Sequence, residues 1–320
     1  MRLSPLVVIV LTAAFALSNP VDAQERLSYK GKTVLVTGST DGLGRELARA
    51  LAADGAHVIV HGRNAERGQA LVDEVTRAGV GKATFVAADF ASLDAVRAFA
   101  DNIAKDYPRL DLLVNNAGVL VTGAQPRQTS QDGFELQFAV NYLAGWVLVH
   151  RLRPALSAAA PSRVINVASL SAAPIDFDDV MLEKPGAHES GDRQSKLGNA
   201  RGYGQSKLAQ VSMTVELAPD FATDGITMIA LHPATMMDTG MVRNAGVAPR
   251  TSVDEGRLAV MSLITAPELV AGAFYNGATL ATPHPQANDA AARAKLMALS
   301  AELTGVPSTT AVSQAADAGQ

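Results

Sequence analysis

Thr33 to Ala53 reads TVLVTGSTDGLGRELARALAA, and the fold follows from this stretch. Its β-branched opening, Thr33-Val34-Leu35-Val36-Thr37, has the character of a strand buried on both faces. Gly38-x-x-x-Gly42-x-Gly44 follows, and then apolar residues at helical spacing, Leu43, Leu47, Ala48 and Leu51. Alone, three glycines would only close a tight βα loop. Between a strand and a helix they let backbone approach a pyrophosphate, at which the helix N-terminus directs N–H groups and partial positive charge. The frame therefore favours a dinucleotide site.

Downstream the chain alternates strand and helix, the signature of a parallel sheet covered on both faces. The second strand, His57 to His61, runs into Gly62-Arg63-Asn64. An acidic side chain here would accept from ribose hydroxyls. Instead, Gly62 leaves space and Arg63 offers a cation suited to a 2′-phosphate, which predicts NADP(H) over NAD(H). Arg67 reads as a solvated neighbour. The third strand, Thr84 to Ala87, leads to Asp89, which either meets the adenine amine or caps the turn. The fourth, Leu110 to Val114, enters Asn115-Asn116-Ala117-Gly118, where Asn115 suits a loop-bridging role beside the cofactor.

Composition sets outer limits. The 320 residues can bury a sizeable core, 48% of them are apolar, and the net charge of −4 comes with no basic run. A nucleic-acid partner is disfavoured. The absence of cysteine removes disulfides, thiolate metal sites and a Cys nucleophile, and selects no compartment. Six histidines form no metal pair; His57 and His61 share a strand face but lie ~13 Å apart along it. There is no Gly-x-Ser-x-Gly elbow, and Gly31-Lys32-Thr33 precedes its strand, the wrong place for a triphosphate loop. No metal is expected.

Residues 1–23 have the layout of a secretory signal: Arg2, an apolar run from Leu6 to Leu17, and a small residue at Ala23. The run is shorter than the ~20 residues of a spanning helix, so cleavage and export are expected. A retained membrane anchor over residues 6–17 is the competing reading. Residues 24–31 form a polar lead-in, and the tail, residues 306–320, has the composition of a disordered segment.

Tyr203 and Lys207 stand one turn apart on a helix expected to end near Pro219. A phenol ionises near pH ~10, and a neighbouring ammonium favours phenolate, making a usable proton relay. Ser169 closes the fifth strand, Arg163 to Ser169, on the sheet edge where ligands bind; Ser171 is its rival for holding a substrate oxygen. Asn141 falls inside a long helix beginning near Ser130, where a buried, satisfied amide would be the plain reading.

Thr37-Gly38-x-x-x-Gly42-x-Gly44, Asp89, Asn115-Asn116-Ala117-Gly118 and Tyr203-x-x-x-Lys207 occur in an order that resembles the short-chain dehydrogenases/reductases, over roughly Lys32 to Gly305. The resemblance implies a single doubly wound (Rossmann) α/β domain over residues 32–305, with a parallel sheet of about seven strands. It implies catalysis by Asn141, Ser169, Tyr203 and Lys207, with Asn141 holding a water that extends the relay from Lys207. The cofactor set becomes Gly38, Ser39, Thr40, Gly42, Leu43, Gly44, Arg63, Asp89, Asn115, Ala117, Gly118, Tyr203, Lys207, Pro233, Thr235 and Thr239. Thr239 is placed on the nicotinamide carboxamide with Thr235 behind it, and Ala234 stands where the family usually has glycine.

The insertion from Pro174 to Ala200 resembles in length the branch of retinol dehydrogenases and related carbonyl reductases. Its Asp176, Asp178 and Asp179 lack the histidines or spacing of a metal loop and read as a solvated segment. Met236, Met237, Met241 and Val242 suit either an adaptable substrate wall or ordinary packing. The expected activity is hydride transfer between NADP(H) and the alcohol or carbonyl of an apolar small molecule. The alternatives are a dinucleotide-binding redox sensor without turnover and a nucleotide-sugar epimerase; the glycine spacing and the lack of an extended C-terminal substrate domain oppose the latter. The expected partner is the small-molecule substrate, with membrane contact only through the N-terminus and a homo-oligomer left open.

Overall fold

The β-branched runs become the central strands of one sheet: β1 (Thr33–Val36), β2 (His57–Gly62), β3 (Lys82–Ala87), β4 (Leu112–Asn115), β5 (Ser162–Val167) and β6 (Ile226–His232). Two short strands, β7 (Phe274–Asn276) and β8 (Thr279–Ala281), complete it in the order β3-β2-β1-β4-β5-β6-β7-β8. The computed structural model describes residues 26–121, 126–187 and 201–307. The signal-peptide reading, most of the tail and the second half of the insertion lie outside them. Among the described residues no helix is long and apolar enough to cross a membrane.

β1 to β7 are parallel, as the expected count of about seven requires. β8 adds an antiparallel edge, because Gly277 at φ +60 turns the chain back after Asn276, and Asn-Gly is a strong hairpin signal. Side chains alternate between two cores: Leu35 enters one, while Val34 and Val36 enter the other. That two-sided burial is why the strands read as continuous apolar runs.

On one face lie α1 (Gly42–Ala53), α2 (Ala65–Ala78) and, later in the chain, α9 (Val253–Ile264). The other face carries α3 (Leu93–Asp106) and a composite helix: α4 (Leu136–Phe138), a π-helical turn (Ala139–Leu143) and α5 (Ala144–Arg151). α6 (Arg153–Ala158) and the long α7 (Arg201–Thr223) follow. α8 (Gly240–Asn244) precedes α9, and α10 (Pro285–Asn288) and α11 (Ala290–Thr304) end the described chain.

Three sequence expectations are corrected. The composite helix starts at Leu136, not near Ser130: Ser130 Oγ closes a turn by accepting from the Asp132 and Phe134 amides, and Glu135 is the cap, accepting from Phe138 N at 2.6 Å. α7 runs through Pro219 to Thr223. Proline removes one helical bond, but Phe221 is fully buried, and Arg153 clasps Asp220 and Asp224 at 2.6 Å each, so packing holds the last turn. α11 was not anticipated. It has an Asp289 cap and a left-handed Gly305, and it is fixed by Tyr142–Ser300 (2.6 Å) and Arg293–Glu216 (2.6 Å).

Arg163 on β5 is 7% exposed and donates to the carbonyls of Leu263 (2.9 Å), Ile264 (2.7 Å) and Pro267 (3.3 Å), capping the negative end of α9. Arg163→Met keeps the stem but strands these carbonyls. Equilibrium urea unfolding should show a loss on the order of 3 kcal/mol; a loss below about 0.5 kcal/mol would make the cap idle.

Candidate active site

The strand order reverses between β1 and β4, and the crevice at their carboxyl ends is where an open α/β sheet binds ligands. The glycine turn fills one wall. Gly38 has φ +64, and a Cβ there would fall 2.8 Å from Ala117 Cα. At Gly44 it would fall 2.4 Å from both Gly38 O and Asn116 Nδ2, so α1 can start this close to the turn only without a side chain. Thr37 Oγ1 accepts from the amides of Asn116 and Ala117, both at 2.9 Å, stitching the Asn115–Gly118 loop to the turn. Asp41 caps α1 by accepting from Gly42 N at 2.8 Å. The glycine cradle and the helix N-terminus fit a dinucleotide pyrophosphate.

The expected cofactor residues divide by what their side chains already do. Ser39 is spent on the protein: its hydroxyl donates to Val36 O and accepts from His61 N, and its amide donates to His61 O. Leu43 is core, 5% exposed, leaving only its backbone near a ligand. Gly62 does not leave room for a phosphate, because the Thr40 side chain occupies the space, within 2.5 Å of where its Cβ would be. Arg63 is 66% exposed and stands 3.9 Å from Asp89, whose Oδ1 caps the turn at Ala91 N. Arg67 is not simply solvated; it pairs with Asp41 at 3.3 Å, beside the glycine turn.

Asn115 bridges β4 to β5 through Asn166 (2.8 Å), which continues to Thr214 on α7 (2.9 Å). Pro233 is buried behind the end of β6. Thr235 shares a hydrogen bond with His232 (3.0 Å). Thr239 packs its methyl near Gly42, where a Cβ would meet it at 3.2 Å, and caps α8, which sets it beside the glycine turn. Ala234 needs no glycine: the left-handed residue of this loop is Met236, at φ +51.

On the opposite wall Tyr203 stands with its hydroxyl beside Ser169, a neighbour that lowers the phenol. Ser169 Oγ is fixed in turn by the Ser171 amide (3.1 Å), which gives Ser171 a supporting part. Gly202 and Gly204 let α7 approach: a Cβ at Gly202 would strike Gln137 and Glu135, and one at Gly204 would lie 2.6 Å from Ala173 Cβ. Glu135 is buried, which pushes its carboxyl upward.

Lys207 Nζ lies 5.5 Å from the Tyr203 ring centroid and donates to Val167 O (2.7 Å) and Gln210 Oε1 (2.9 Å). A third N–H remains on the side of Gly118, whose Cβ would stand 3.8 Å away. Burial lowers this amine to about 7. Where the sequence reading expects a neighbouring ammonium to lower the phenol, burial outweighs the lowering by Ser169 and raises it.

Asn141 sits in the π-helical turn, a feature frequent at functional sites. Its Oδ1 accepts from Val119 N (2.7 Å), and its two amide hydrogens go to Val119 O (3.1 Å) and Ser206 Oγ (3.0 Å). The side chain thus ties Val119, just past the Asn115–Gly118 loop, to α7. Gln210 was missed by sequence reasoning; its i+3 spacing from Lys207 was the available signal.

The described half of the insertion is stapled down. Gln286 of α10 pairs with both backbone groups of Ile175 (2.7 and 3.0 Å), and Arg201 holds Asp176 at 2.7 Å. Asp179 accepts from the Glu183 and Lys184 amides. Among the described residues no group of His, Cys, Asp or Glu side chains is placed to hold a metal ion.

Comparison with known proteins gives a consistent answer. The family model for short chain dehydrogenases matches residues 32–175. Human retinol dehydrogenase 13 is 34% identical over 302 residues, covering 88% of this chain and 87% of its own. A Streptomyces protein provisionally named a daunorubicin C-13 ketoreductase is 34% identical over 288 residues, covering 86% and 93%. A Burkholderia cenocepacia short chain dehydrogenase, crystallised with NADP, superposes with a TM-score of 0.60 at 27% identity, over 78% of this chain and 97% of that one.

Proposed function

The chain belongs to the short-chain dehydrogenase/reductase family, in its retinol dehydrogenase branch, and from that premise we propose that it reduces the carbonyl group of an apolar small molecule with NADPH. The observation that carries this reading is the juxtaposition of Ser169, Tyr203 and Lys207, set across the crevice from the glycine turn.

The bound dinucleotide would supply hydride to the carbonyl carbon. The chain's own residues then handle the oxygen. Ser169 Oγ donates a hydrogen bond to it, and Tyr203 gives it the proton that completes the alcohol. A phenol raised by burial stays protonated through neutrality, the form that this step needs. Lys207, whose amine burial lowers to about 7, gives up its proton more readily at neutrality than a solvated lysine. Asn141 and Gln210 hold the loop and the amine in place. Exposed Leu170 next to Ser169, with Met241 and Val242 on α8, supports an apolar substrate.

NADPH oxidation assayed against aldehydes, ketones and quinones tests the reading: turnover is expected with apolar carbonyls, and its absence across the panel would overturn it. The cofactor preference rests on Arg63. Arg63→Ala should raise KM for NADPH about tenfold, one charge-assisted hydrogen bond, and leave KM for NADH unchanged. Equal effects on both would remove Arg63 from the phosphate site.

A further inference from the structure

His61, at the end of β2, has no part in the chemistry above, yet its buried ring is fully engaged. It is 3% exposed, stacked on Phe90 (4.0 Å, 19°) and tilted against Phe99 (4.8 Å). Nδ1 receives the Gly38 amide at 3.0 Å, and Nε2 stands 3.2 Å from Ala88 O. A backbone amide can only donate and a carbonyl can only accept, so the two contacts fix a neutral ring with its proton on Nε2. The backbone adds two bonds: His61 N to Ser39 Oγ (3.0 Å) and Ser39 N to His61 O (2.8 Å). One residue therefore grips both Gly38 and Ser39, at the point where the turn enters its left-handed conformation.

We propose that His61 is the positioning residue of the phosphate-binding turn: its Nδ1 lone pair holds Gly38 in the cofactor-binding conformation, and a proton on that nitrogen releases it. The inference rests on the reading of the turn as a dinucleotide site. A protonated Nδ1 would present N–H to N–H, with Phe90 and Phe99 barring the ring from turning away. The charged groups facing the ring are Asp89, which favours the proton, and Arg63, two residues on and just past the end of β2, which opposes it; α3 packs the apolar Phe99 against it. Burial wins and lowers the imidazole to about 4. A histidine depressed in the fold contributes stability that is complete above its ordinary ~6.5 and lost as pH falls toward about 4. The grip is therefore intact at neutrality and released by acid.

The test is calorimetric titration of the whole folded chain with acid-stable NADP+ between pH 7.5 and 4, together with amide hydrogen exchange at Gly38 without cofactor. His61→Phe keeps the ring and the stack but cannot accept. His61→Asn keeps an acceptor near the Nδ1 position. At pH 7.5 His61→Phe should bind about tenfold more weakly and expose the Gly38 amide to exchange, while His61→Asn should stay within about threefold of the parent. Below pH 5 the parent should lose affinity more steeply than His61→Asn, by up to one proton; comparing the two cancels titration of the cofactor's own phosphate, near pH ~6. Unchanged affinity and unchanged Gly38 exchange in His61→Phe would overturn the proposal. Failure of the parent to bind NADP+, with exchange still accelerated in His61→Phe, would instead overturn the reading of the turn as a cofactor site and confine His61 to structure.

Discussion

Tyr203→Phe is expected to lower kcat about 10³-fold while NADP(H) binds as before. The substitution deletes one oxygen. The ring still fills its place on α7, where Lys207 Nζ stands 5.5 Å from the centroid, and Gly202 and Gly204 still admit the helix. What disappears is the proton donor beside Ser169. Catalysis by a positioned acid supplies roughly 10²–10⁴-fold, and Lys207 is a poor replacement, since two of its donors are held by Val167 and Gln210 and the third lies on the side of Gly118. The measurement pairs steady-state turnover with calorimetry of NADP+ binding. Turnover at the parent rate would remove Tyr203 from the proton path. A parent without turnover on any carbonyl, binding NADPH tightly, would favour a redox sensor.

Gly44→Val should abolish cofactor binding and lower Tm by several degrees. A Cβ at Gly44 would lie 2.4 Å from Gly38 O and 2.4 Å from Asn116 Nδ2. Neither neighbour can yield: Gly38 is held by His61 and Ala117, and the Asn116 amide donates to Thr37 O at 2.8 Å. α1 must therefore retreat from the turn. Overpacking costs about 1–3 kcal/mol, and at roughly 2–4 °C per kcal/mol in a domain of this size Tm should fall by about 3–10 °C. The retreat also withdraws the helix N-terminus from the phosphates, so NADP+ affinity should drop more than about 100-fold. Gly145→Ala is the control, because the nearest atom to its Cβ is Asn115 Cγ at 3.6 Å, an ordinary contact. Parent-like NADP+ binding by Gly44→Val would show that the close approach is dispensable.

The strand–turn–helix alternation of the first half and the Tyr203–Lys207 face were legible because each is local: period, glycine spacing and a one-turn offset lie within a few residues of one another. Asp89 and Thr239 were harder, since the sequence places a side chain at a strand end without saying what it meets. Asn141 shows the limit most clearly. Its type and neighbourhood marked it as special, but the bonds that consume its amide come from Val119 and Ser206, on other elements. The same holds for Pro219, overruled by Arg153 and Phe221, and for Gly62, whose apparent room is filled by Thr40. Burial raises the Tyr203 phenol where the sequence shows only a neighbouring charge, because depth of burial cannot be read from a sequence.

The Gln286 clamp on Ile175 carries an implication about time. Chains emerge from the ribosome N-terminus first and fold as they lengthen. Asn141, Ser169, Tyr203 and Lys207 are all polymerised before the amide that fastens the loop six residues beyond Ser169. During biosynthesis the crevice therefore passes through a stage in which every reactive group is present and its scaffold is still being made.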